Sequence, residues 1–148
     1  MTAVTTYELV PVGWVRSSLK RRADAPKQGS EGAPDARIRI EPRFQPALDR
    51  LAPGDELLVL TWLHQAQRDV LAVHPRRDLS KPLHGVFATR SPDRPNPIGL
   101  HRVRLLAIET DGVLHVAPLE AIDGTPVVDI KPVLPQDSQP IGGPGWTS

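Results

Sequence analysis

The chain has 148 residues, of which 39% are apolar, 24% charged and only 4% aromatic, which suits one domain with a single aliphatic core. It contains no cysteine, which excludes disulfides, thiolate nucleophiles, iron–sulfur clusters and cysteine-based zinc sites. The net charge is +1, yet residues 1–104 hold 17 of the 18 Lys/Arg and 11 of the 17 Asp/Glu (+6) while residues 105–148 stand at −5, an asymmetry that suits an anionic partner.

The first residues show no basic segment followed by an apolar one, so no secretory signal is visible. No apolar run approaches the roughly 20 residues of a membrane span, and a cytoplasmic location with no membrane contact is expected. Residues 7–15 crowd Leu9, Val10, Val12, Trp14 and Val15 and predict a strand of mixed burial. Residues 17–35 carry Lys20, Arg21, Arg22 and Lys27 among Gly, Pro, Ser and Ala without apolar periodicity. They predict a mobile basic loop, long enough to serve as a lid or binding loop.

Arg37-Ile38-Arg39-Ile40 alternates and predicts a short half-exposed strand. Phe44, Leu48 and Leu51 fall at i, i+4 and i+7 and predict a short amphipathic helix, stopped by Pro53-Gly54. Residues 56–63 form the strongest strand, expected to be buried on both faces, and residues 70–73 suggest another. Residues 75–97 contain five prolines and little regular pattern. Segments 103–110 and 113–119 flank Asp111-Gly112, which favours a type I′ hairpin turn because both central residues need positive φ. Asp123-Gly124 marks a second turn before a strand over 127–130. The pattern predicts a mainly β barrel or sandwich with a short helix and long loops. It forms one domain over residues 1–140, followed by a flexible tail over 141–148.

Several chemistries lack sequence support. There is no G-x-G-x-x-G, Walker A or G-x-S-x-G motif. His64, His74 and His84 are ten residues apart, which matches no metal-ligand spacing, so no metal is expected.

The informative stretch is Gly85-Val86-Phe87-Ala88-Thr89-Arg90-Ser91-Pro92-Asp93-Arg94-Pro95-Asn96-Pro97-Ile98-Gly99-Leu100. It reads as a short apolar strand that runs into a charged loop stiffened by Pro92, Pro95 and Pro97. Arg90 and Arg94 would present two guanidinium forks to a carboxylate or phosphate. Alternatively, the stretch is a Pro-rich turn whose arginines pair with Asp93 or Asp78.

This stretch closely resembles the signature of the TrmO-like family, the S-adenosylmethionine-dependent tRNA threonylcarbamoyladenosine methyltransferases. Asp123-Gly124-Thr125-Pro126-Val127-Val128-Asp129-Ile130-Lys131-Pro132 matches a second family motif. Pro26-Lys27-Gln28 stands where the family usually has Pro-Arg-Gln, and His64-Gln65 matches at the end of the strongest strand. The resemblance runs from about residue 9 to residue 135. It implies a compact β-barrel methyltransferase domain, S-adenosylmethionine as cofactor, the tRNA anticodon loop as partner, and a homodimer with the active site near the interface.

The cofactor positions the resemblance implies are Pro26, Lys27, Gln28, His64, Gln65, Arg90, Leu100, Ala117, Pro118, Leu119 and Glu120. In them, Arg90 suits the cofactor carboxylate, Leu100 and Leu119 would sandwich the adenine, and Glu120 suits the ribose hydroxyls or the sulfonium. The structural alternatives are a strand cap for His64, plain core for the leucines, and a Glu120–Lys131 pair. Asn96, by analogy with Asn/Asp-Pro-Pro motifs of other adenine-N6 methyltransferases, is the candidate catalytic residue, its carbonyl accepting from the N6–H; the alternative is a structural Asn-Pro turn. Arg94, Arg102, Arg104 and the Lys20, Arg21 and Arg22 cluster are candidates for phosphate contacts, the alternative being a solvated basic face.

The sequence departs from the family pattern at Val133, where Tyr is usual, and at Glu120, where Asp is frequent. It also stops soon after the second motif, as in a short form without the additional C-terminal domain of many members. Two rival functions remain at this stage. One is the same cofactor chemistry on a small molecule or another nucleoside. The other is a non-catalytic module that binds RNA or S-adenosylmethionine.

Overall fold

The computed structural model describes residues 3–26 and 32–143. Lys27 and Gln28 of the basic loop, and residues 144–148 of the tail, lie outside the described residues.

The described residues contain strands β1 (Gly13–Arg16), β2 (Ala36–Ile40), β3 (Glu56–Trp62), β4 (Ala72–Val73), β5 (His84–Gly85), β6 (Ile98–Glu109), β7 (Val113–Ala117) and β8 (Pro126–Pro132). Six of them form one antiparallel sheet in the order β1-β2-β7-β6-β3-β8. Because β1 pairs with both β2 and β8, the ladder closes into a barrel. Closure pairs the two outer strands of the sheet, β1 and β8, over Gly13 and Trp14. β4 and β5 form a separate two-stranded ribbon.

Side chains alternate across a strand, and the long β6 shows the consequence. Gly99, His101, Val103 and Leu105 point inward, while Leu100, Arg102 and Arg104 point outward. Inside the barrel, Val15, Ile38, Leu57, Val59, Val103, Leu105, Leu114, Val116 and Val127 are almost wholly buried. Each such side chain contributes about 1.5–3 kcal/mol by leaving water, so aliphatic residues supply most of the core.

The structure corrects several sequence expectations. Residues 7–12 lie outside the first strand and leave Tyr7, Leu9 and Val10 exposed, because pairing with β2 begins only at Gly13. β3 is fully buried on one face only; its outer residues Leu58, Leu60 and Trp62 are half-buried. The expected amphipathic helix is a 3-10 helix, Pro42–Leu48, in which Pro46 has no N–H to offer an α-helical ladder. Its Phe44 and Leu48, with Leu51, still pack on the core as their spacing suggests.

The β6–β7 connection has three residues rather than two, since Glu109 pairs with Val113. Asp111 (φ 60°) and Gly112 (φ 70°) nevertheless both take the positive φ that the dipeptide predicts. The apolar start of the proline-rich motif is not a strand. It becomes a 3-10 turn, Val86–Ala88, with Val86 buried and Phe87 88% exposed. Among the described residues no helix is long and apolar enough to cross a membrane.

Candidate functional site

A cleft of about 880 Å³ opens where β3 ends and β6 begins, within the size range of small-molecule sites. Leu60, Leu63 and Leu100 give it an apolar wall. The loop from Ala88 to Arg94, the His64-Gln65 turn, Pro26 and Glu120 complete it. A register shift in the β3–β8 ladder falls between Leu60 and Thr61, at the edge of this site, where such irregularities commonly re-aim side chains.

Three loops are tied together at the cleft by Asp93. Its Oδ1 accepts from Arg22 Nη2 (2.8 Å) and from the Gln67 backbone N–H (2.9 Å). The Arg94 N–H in turn donates to Gln67 O (3.0 Å). Burial alone would raise the Asp93 carboxyl, but the Arg22 guanidinium and the Gln67 N–H outweigh it and hold the group below the ordinary aspartate value. The basic segment around Arg22 is thereby fixed to the proline-rich loop.

Arg90 and Arg94 have different fates. Arg94 donates from Nη2 to Val86 O (2.6 Å) and Thr89 O (2.6 Å), and from Nε to Ser91 O (2.8 Å). These bonds staple the loop. The alternative pairing of Arg94 with Asp93 does not form, since Asp93 pairs with Arg22 instead. Arg90 lines the cleft with an exposed guanidinium that meets no partner among the described residues. Arg76 and Arg77 on the cleft wall both adopt positive φ (52° and 58°). Such strained backbone concentrates at functional sites.

At the cleft the part-buried Glu120 meets two buried polar groups absent from the sequence candidates, His101 and Thr61. His101, 5% exposed, places Nδ1 2.5 Å from Glu120 Oε1 and Nε2 2.7 Å from Thr61 Oγ1. Gly99 makes room for this contact, since a Cβ there would lie 2.3 Å from Thr61 Oγ1. One signal was legible: His101 is a polar residue at an inward position of an alternating apolar strand.

Of the sequence candidates, the structure brings Pro26, His64, Gln65, Arg90, Leu100 and Glu120, with Arg22 and Arg94, to one cleft. Leu119 is 0% exposed and belongs to the core, so it cannot face an adenine there. Ala117 and Pro118 do not line the cleft; the bond between them is cis. Asn96 also lies outside it. Its Oδ1 accepts from Arg68 Nη2 (2.9 Å), while Arg68 Nε donates to Pro95 O (2.7 Å) and the guanidinium stacks on Trp62. Asn96 is therefore part of a turn clamp rather than a cleft acceptor. Arg102 and Arg104 sit on the outer face of β6 and share Glu56 (2.5 and 2.9 Å). Hydrogen bonding from Arg102, then its charge, holds the Glu56 carboxyl below the ordinary glutamate value. Lys131 pairs with Asp129, not with Glu120.

This cleft lies in a region shared with known proteins. Residues 14–138 match the model of the tRNA-methyltransferase O N-terminal domain. The chain belongs to that family. A probable S-adenosyl-L-methionine-binding protein of Methanothermobacter thermautotrophicus is 49% identical over 122 residues, 82% of this chain and 86% of that protein. One from Archaeoglobus fulgidus is 50% identical over 126 residues, 84% of this chain but 33% of that protein. A crystal structure of TrmO superposes with a TM-score of 0.73 at 31% identity, covering 96% of this chain and 62% of that one. TrmO from Pseudomonas aeruginosa gives 0.72 at 32% identity, covering 94% and 61%. This tRNA-methyltransferase O family member thus spans about three fifths of the TrmO chains it matches.

Proposed function

We propose that this family member is an S-adenosylmethionine-dependent methyltransferase whose acceptor is the N6 nitrogen of threonylcarbamoyladenosine beside the tRNA anticodon. The observation that carries the reading is the presence, in one cleft, of the exposed Arg90 guanidinium and the part-buried Glu120 carboxylate beside an apolar wall. That donor set fits a ligand with a carboxylate, hydroxyl groups and a flat base. Arg90 would hold the carboxylate as a bidentate fork, Leu100 would cover one face of the adenine, and Gln65 can both give and accept hydrogen bonds. Relatives described as S-adenosyl-L-methionine-binding proteins support the cofactor, and the family description supports tRNA as substrate.

The cofactor, when bound, supplies a methyl group already activated by its sulfonium. The protein's part is then alignment of nucleophile and methyl group, together with exclusion of water. The fixed loop from Ala88 to Arg94 suits that task, since a prearranged loop loses little entropy on binding.

Mass spectrometry of tRNA nucleosides from a deletion strain tests the acceptor. Loss of the methylated nucleoside, restored by the wild-type gene, is the expected result. Its persistence would turn the assignment toward another acceptor. The homodimer implied by the resemblance fits the exposed Leu71, Leu79, Leu83 and Phe87 beside the cleft loops, and a solution mass equal to one chain would remove that part of the reading.

A further inference from the structure

Methyl transfer to nitrogen leaves one proton to be removed, and Asn96, the acceptor candidate the sequence offered, lies outside the cleft. Among the described residues, two carboxylates line the cleft, Asp93 and Glu120. Asp93 is neutralised by Arg22 and engaged by the Gln67 N–H. Among the described residues Glu120 meets no arginine or lysine; its Oε1 meets His101 Nδ1, and its Oε2 has no protein partner there.

We propose that Glu120 accepts the proton from the attacking nitrogen and that His101, itself fixed by Thr61, positions Glu120 for that role. The inference rests on the methyl-transfer reading above and extends it. An ionised carboxylate only accepts hydrogen bonds, so the proton in the Glu120–His101 contact belongs to Nδ1. In a neutral ring Nε2 then carries the lone pair and accepts from the Thr61 hydroxyl. Each member of the chain thus fixes the next, from a buried strand residue outward to the cleft.

The placement has a kinetic rationale. The nitrogen lone pair forms the N–C bond while the C–S bond breaks with its electron pair onto sulfur. Positive charge therefore moves from sulfur to nitrogen, and the N–H proton passes to Glu120 Oε2. A fixed carboxylate beside the nitrogen gains attraction as that charge arrives, which favours the transition state over the ground state. Asn96, held by Arg68 outside the cleft, has no comparable access.

The test uses the full chain, S-adenosylmethionine and tRNA bearing threonylcarbamoyladenosine, with E120Q, H101Q and H101A. Glu120→Gln keeps the shape but removes the acceptor charge. At saturating S-adenosylmethionine it is expected to slow single-turnover transfer by about 100-fold or more, whatever it does to cofactor affinity. His101→Gln, which retains an N–H donor, is expected to keep more activity than His101→Ala. Nitrogen NMR of the ring should show a neutral His101 protonated at Nδ1. E120Q turnover at the wild-type rate once S-adenosylmethionine is saturating, or a doubly protonated ring, would overturn the proposal. Failure of the wild type to methylate any nitrogen would defeat the functional reading first and the proposal with it, before any variant is compared.

Discussion

Gly99 and Thr61 face each other across the β3–β6 ladder, and a Cβ on residue 99 would lie 2.3 Å from Thr61 Oγ1 and 2.7 Å from His101 Nε2. The absence of a side chain at residue 99 is what lets the Thr61–His101 hydrogen bond form at 2.7 Å. Gly99→Ala should break that bond and overpack the site, costing about 1–3 kcal/mol of stability. Chemical denaturation measures this; an alanine variant as stable as the wild type would show that the inward face of β6 has slack.

Arg94 illustrates a charged residue used for structure. Its guanidinium satisfies three carbonyls of its own loop. Arg94→Ala should lower stability by about 2 kcal/mol through those unpaired groups, and should loosen the loop that carries Arg90. The check is thermal unfolding alongside cofactor titration. Unchanged stability with weakened RNA binding would instead assign Arg94 to phosphate.

Asp93 gives a pH test. Its folded-state value is depressed, so the stability it adds is present above the unfolded aspartate value of about 3.9 and is lost as pH falls through the folded value. Wild type should exceed Asp93→Asn by a constant margin of about 1 kcal/mol between pH 5 and 8. That margin should shrink below about pH 4. A margin unaffected by acid would mean that the carboxylate charge plays no part.

Two residues that looked functional in the sequence should prove quiet. Asn96→Ala should leave the transfer rate within about threefold, a barrier change under about 1 kcal/mol. Arg102→Ala should leave the salt slope of tRNA binding unchanged, because Arg102 pairs with Glu56 away from the cleft. A slope smaller by roughly 0.7–0.9 would identify a phosphate contact and contradict this placement.

The strands were legible where apolar residues alternate, as in Arg37-Ile38-Arg39-Ile40, since that period itself decides which face is buried. The cleft residues His64, Gln65, Arg90 and Glu120 were legible through the family motifs. For Arg94 the sequence left open a fork for an anion, because composition cannot tell which arginine of a loop turns back on its own carbonyls, while Asn96 follows its Asn-Pro turn alternative. Leu119 follows its plain-core alternative, which the sequence left open because an exposed apolar wall and a buried core use the same residue types. His101 was overlooked although its inward position in β6 marks it, because its partners Thr61 and Glu120 lie 40 and 19 residues away.

The central claim is that the cleft around Arg90 and Glu120 binds S-adenosylmethionine. Calorimetric titration of the purified chain, repeated with Arg90→Ala, tests it most directly. The account predicts saturable one-site binding that weakens by about 10-fold or more when the guanidinium is removed, as expected for a lost charge-assisted contact. A folded wild-type protein that takes up no S-adenosylmethionine, or an Arg90→Ala variant that binds it equally well, would contradict the account.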